Sequence, residues 1–121
     1  MEDRDIGWSF FEKIIKKTMA NGEAWAEAKS QSLFLEETKK SVFSDIMNTI
    51  SREKGAAGEK ITEGALERLA YAHPDYKAHV KALSEAKKTE AKLYVQYQAG
   101  QNAFEAARTC ASLEKKRMQI G

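Results

Sequence analysis

Steps of three and four residues taken alternately from Leu83 land on Leu83, Ala86, Glu90, Leu93, Tyr97, Gly100, Phe104, Ala107 and Ala111, apolar or small everywhere except Glu90. Such a spacing is the seam of a coiled-coil-like helix. The opposite side carries Lys77, Lys81, Lys88 and Lys92 in its first half, then Ala99, Ala103, Ala106, Cys110 and Leu113 in its second. A helix apolar on two opposed faces has to be covered twice. The pattern predicts one long helix over 74–118, which at 1.5 Å per residue would be about 67 Å. Pro74 suits its first turn and Asp75 complements the positive end of its dipole.

Ile6, Trp8, Phe10, Phe11, Ile14, Ile15 and Met19 face away from Lys13, Lys16 and Lys17, which predicts an amphipathic helix within 1–20. Asn21 and Gly22 punctuate the chain, and a second helix is expected over 23–52. Its stripe is Trp25, Ala28, Ser32, Leu35, Lys39, Val42, Ile46 and Thr49, widened by Phe34, Phe43 and Ile50. The stretch EKGAAGEK predicts a mobile loop over 53–61. A short helix over 62–72 follows, capped by Thr62 and edged by Leu66, Leu69 and Ala70. The fold class is therefore all-α: a single domain holding a long helical hairpin, coiled-coil-like, with short accessory helices.

Length sharpens this picture. A chain of 121 residues gives each helix few neighbours, so self-association into a homo-oligomer is expected to supply the missing cover. The two apolar sets, Leu93, Tyr97, Gly100, Phe104 and Ala107 on one side and Ala99, Ala103, Ala106, Cys110 and Leu113 on the other, are the candidate oligomer interface. Gly100 within the seam favours close helix approach over a kink.

Charge and chemistry exclude more than they assign. With 20 basic and 18 acidic side chains the formal charge is +2, too near neutral for a dedicated polyanion clamp, although local patches remain. Cys110 is the single cysteine, so neither an internal disulfide nor a thiolate cluster can form, which suits a reducing cytoplasm. The acidic start, Met1 to Asp5, is unlike a signal peptide, and no run approaches the roughly 20 apolar residues of a membrane helix. GAAGEK lacks the spacing of a phosphate-binding loop. His73 and His79 lack metal-site spacing, so neither metal nor cofactor is expected, and no catalytic constellation is present. Glu90 reads as a register-setting contact with Lys87 or a partner's lysine, and Cys110 as a packed small hydrophobe. The lysine ladder reads as a solvated outer face, multiplied into a phosphate surface if subunits assemble.

Lys39-Lys40 and Val42 in the second helix, Ser51-Arg52 before a glycine loop, and the rod Asp75 to Met118 with Tyr94, Tyr97, Arg108 and Arg117 resemble bacteriophage recombination mediators of the UvsY type. The resemblance is one of pattern, over about Glu23 to Gln119. It implies a non-enzymatic, oligomeric helical accessory protein that binds single-stranded DNA and helps load a recombinase while displacing a single-strand-binding protein. Carried over by position, Lys39, Lys40, Arg52 and Lys54 would contact DNA. Where the family has further basic residues before the loop, this chain has Ser44, Asp45 and Asn48. Lys13, Lys16 and Lys17 would add phosphate contacts, with Trp8 or Phe11 stacking on bases. A membrane-surface role is open to the same stripe, and docking on its own bundle or on a neighbouring subunit is the favoured expectation for it. A purely structural adaptor that joins protein partners is the alternative.

Overall fold

The computed structural model describes residues 2–120, and side chains within 7–119. Over that range the protein is all-α, with three helices: α1 (Glu2–Ala56), α2 (Glu63–Ala72) and α3 (Pro74–Ile120). Ile6, named in the N-terminal stripe, lies outside the described side chains.

The expected break at Asn21–Gly22 does not occur; 1–20 and 23–52 belong to one unbroken helix. Gly22 is there for space. A Cβ on it would stand 2.9 Å from Cε2 of Tyr97, so the glycine admits an aromatic ring rather than ending the helix. The three-four rhythm runs straight through, and Phe11, Ile14, Thr18, Asn21, Trp25, Ala28, Ser32 and Leu35 all lose exposure.

The helix also ends later than expected. Ala56 is its last residue, and Gly58, at φ +76°, takes the left-handed conformation that a side chain resists. The Glu59 amide donates to the Lys54 carbonyl (2.9 Å) and the Gly58 amide to that of Gly55 (3.0 Å). These two bonds make a Schellman stop, so the predicted loop 53–61 is shorter and its start is fixed. Thr62 then caps α2, its hydroxyl accepting from the Ala65 amide (3.2 Å). Pro74 disfavours helical geometry at His73, which is extended (ψ 136°) and divides α2 from α3. The Asp75 amide donates to His73 Nδ1 (3.1 Å). α3 runs unbroken through Gly100 to Ile120, as helix length and seam together predicted.

The chain divides into two compact units. One comprises Met1–Ala28 and Thr89–Gly121. In it α1 and α3 run antiparallel, with Phe11 edge-on to Phe104 (6.2 Å), Thr18 against Gly100, and Trp25 stacked on Tyr97 (5.6 Å, 18°). The other comprises Lys29–Lys88. There α2 covers the pair, and Ile46, Ile50 and the fully buried Ala70 form the core, flanked by Val42, Phe43, Met47, Leu66 and Tyr76. His79 Nε2 lies 2.8 Å from the Leu35 carbonyl, which only accepts, so that nitrogen carries the proton.

Candidate nucleic-acid and assembly surfaces

The α3 seam is the covered face. Tyr76, His79, Leu83, Ala86, Glu90, Leu93, Tyr97, Gly100, Phe104 and Ala107 are buried or half-buried, in an unbroken three-four series. Leu93, Tyr97, Gly100, Phe104 and Ala107 are thus packed within their own unit, because an α1 segment of the same chain already occupies that side. Ala111, at the end of the series, is exposed. The other candidate interface set, Ala99, Ala103, Ala106, Cys110 and Leu113, is exposed throughout. Cys110 is accordingly a free, exposed thiol rather than a packed one.

In the Met1–Ala28/Thr89–Gly121 unit, Ala99 and Ala103 floor an open groove of about 610 Å³ whose walls include Phe10, Ile14 and Lys17. A second groove of about 460 Å³, walled by Ile15, Met19 and Phe104, lies beside Thr18 as well. The Thr18 hydroxyl is buried between the helices without a hydrogen-bond partner among the described residues. Two helices cannot enclose their own contact, so apolar side chains remain in water: Trp8 is 70% exposed, Val95 65% and Met118 79%.

The basic residues divide between the units. Lys13, Lys16 and Lys17 are exposed on α1, Lys16 paired with Glu12 (3.2 Å). Trp8 and Phe10, on the same stretch, point outward, whereas Phe11 is half-buried against α3, which removes it from base stacking.

In the Lys29–Lys88 unit, Lys40 and Arg52 are exposed, and the Arg52 Nε–H donates to the Asn48 carbonyl (3.4 Å). Lys54 is paired with Glu59 (3.0 Å). Lys39 falls on the packed stripe of α1 and is half-buried. Sequence spacing assembles these four only in part: Lys40 and Arg52 offer free charge, Lys39 and Lys54 less. Lys87 reaches Glu36 of α1 (3.1 Å) rather than Glu90, because that carboxylate stands across the helix contact from it. Glu90 is half-buried and makes no ion pair among the described residues.

No family model matches the chain, and neither a curated protein nor a solved structure is significantly similar to it.

One aromatic cluster joins residues that share no helical stripe. Phe43 of α1, Tyr71 of α2 and Tyr76 of α3 meet ring to ring, with centroids 4.6 Å (Phe43–Tyr71), 5.4 Å (Phe43–Tyr76) and 5.5 Å (Tyr71–Tyr76) apart. Tyr71 and Tyr76 form one end of a groove of about 480 Å³ that continues along Lys77, Lys81 and Lys88. The signal available was the aromatic pair flanking Pro74, which stands at the head of the lysine ladder. Among the described residues no grouping of His, Cys, Asp and Glu could hold a metal ion, and no helix is long and apolar enough to cross a membrane.

Proposed function

We propose that this protein is a non-enzymatic accessory factor of phage-type DNA recombination or replication, which self-associates and binds single-stranded DNA in the cytoplasm of a host cell. The uncovered second face of α3 carries the reading: Ala99, Ala103, Ala106, Cys110 and Leu113 keep helical spacing and lie open. Small residues in such a row let a neighbouring helix approach closely, and burial of the exposed apolar surface drives association. A coiled-coil-like pairing of α1 with α3 in each protomer leaves this face for another copy. Nucleic-acid binding is supported by exposed Lys40 and Arg52, by exposed Trp8 and Phe10 beside Lys13, Lys16 and Lys17, and by the pattern shared with UvsY-type mediators. Assembly would multiply modest cationic patches into one surface, so affinity depends on association.

Light scattering across protein concentration, with and without oligothymidylate, tests both parts. A mass above one chain and a salt-sensitive affinity are expected. A single-chain mass at every concentration ends the assembly reading, and no binding at low salt ends the DNA reading.

The adaptor reading is favoured by the same open face. A heterologous helix on Ala99–Leu113, with no DNA binding, would be its outcome.

A further inference from the structure

We infer that the groove between Tyr71 and Lys88 in the Lys29–Lys88 unit is a single-stranded nucleic-acid site, in which Tyr71 is the stacking platform for an unpaired base and Lys77, Lys81 and Lys88 hold the phosphates that follow. The inference rests on the nucleic-acid part of the reading above, and assigns that binding to a surface other than Lys39, Lys40, Arg52 and Lys54.

Tyr71 lies in the last turn of α2 and is 56% exposed. Large aromatics seldom stay open while being held rigidly. Here Phe43 at 4.6 Å and Tyr76 at 5.5 Å hold the ring while the residue stays more than half exposed, so little freedom is lost when a base arrives. The groove, about 480 Å³ in volume, is open along the α3 face, as a surface that tracks a single strand must be.

From the tyrosines the groove follows α3. Lys77, Lys81 and Lys88 share one face at helical spacing, spanning about 16 Å at 1.5 Å per residue. None of the three is in an ion pair among the described residues, in contrast to Lys16, Lys54 and Lys87, so their ammonium groups are free for phosphate. Glu85 is the acidic member of the groove and leaves it net positive. A charged outer face needs no aromatic at its head, and a run of acidic side chains offers the ring no aromatic partner. A single strand supplies both: unpaired bases that stack and phosphates at short intervals. A duplex keeps its bases paired and leaves the platform unused.

The test titrates the full-length protein with fluorescent oligothymidylate across salt, against matched duplex and polyglutamate. The triple variant Lys77→Gln/Lys81→Gln/Lys88→Gln, altered only at exposed positions, should weaken binding at least tenfold at low salt. It should also flatten the slope of log affinity on log salt by about 2, since each phosphate contact on a single strand contributes about 0.7. Tyr71→Leu should weaken binding about fivefold or more while Tyr71→Phe retains it. Glu85→Gln should tighten it, and a bromodeoxyuridine oligomer should crosslink at Tyr71. If the triple variant binds like the parent while Lys40→Gln/Arg52→Gln or Lys13→Gln/Lys17→Gln does not, this site is wrong and the nucleic-acid function stands. Absence of oligonucleotide binding by the parent protein overturns both. Polyglutamate or duplex bound as tightly as the single strand overturns the stacking role.

Discussion

Gly22 of α1 lies against the ring of Tyr97 of α3, so closely that a methyl group at position 22 would stand 2.9 Å from Cε2 and 3.2 Å from Cδ2. Tyr97 cannot withdraw easily. Its ring stacks on Trp25, and its hydroxyl accepts from Gln101 Nε2 (2.9 Å). Gly22→Ala therefore sets a helix-propensity gain of about 1 kcal/mol against an overpacking cost of about 1 to 3 kcal/mol. A net loss of stability is expected, read as a lower thermal midpoint, with Trp25 fluorescence altered as the stack shifts. A raised midpoint would show that the close approach is not there.

Thr18 and Gly100 make the equivalent contact one step along, where a Cβ on Gly100 would meet Thr18 Oγ1 at 2.6 Å. Because that hydroxyl is buried without a partner, Thr18→Val keeps the shape and removes an unsatisfied polar group. It should stabilise the protein by about 1 kcal/mol in chemical denaturation. Gly100→Ala should destabilise it, and Thr18→Ala should offset much of that loss in the double variant. Simple additivity of the two changes would disprove the contact.

Two glycines near the end of α1 should respond in opposite directions. Gly55 is helical with open space around its Cα, so Gly55→Ala should stabilise by up to about 1 kcal/mol. At Gly58 the positive φ makes alanine strained, and Gly58→Ala should cost about 1 kcal/mol. Urea midpoints measured side by side would decide it.

Ile46 is 6% exposed in the buried hydrophobic cluster of the Lys29–Lys88 unit, beside Ile50 and Ala70. Ile46→Ala should cost about 2 to 4 kcal/mol, the range for a partly relaxing core cavity. Amide exchange should quicken first in α2, whose ten residues depend on that core. Uniform acceleration along the whole chain would contradict an unequal division of stability.

Cys110 reports on assembly. As an exposed thiol it should react with an aromatic disulfide reagent in dilute protein. If copies meet on Ala99–Leu113, the rate should fall severalfold as concentration rises, and Ala106→Glu should restore it. A rate independent of concentration would place any self-contact elsewhere.

Much of the helical architecture was legible along the chain. The α3 register from Leu83 to Ala107, the Thr62 cap and the Pro74 boundary follow from periodicity, side-chain hydrogen bonding and the geometry proline imposes, all of them local causes. Continuity at Asn21–Gly22 was legible too, through the stripe Phe11, Ile14, Thr18, Asn21 and Trp25, but the local habit of glycine pointed the other way. Only the ring of Tyr97, 75 positions from Gly22, explains why the glycine is there.

What tertiary structure alone decided is which face is covered and which rings meet. A period of 3.6 residues fixes the positions that share a side of a helix and is silent on what lies opposite. For this reason the sequence marked both flanks of α3 as apolar, while only packing against α1 showed Tyr97 and Phe104 covered and Cys110 open. The same holds for Phe43, Tyr71 and Tyr76, which stand on three different helices and become one aromatic cluster only when those helices close together.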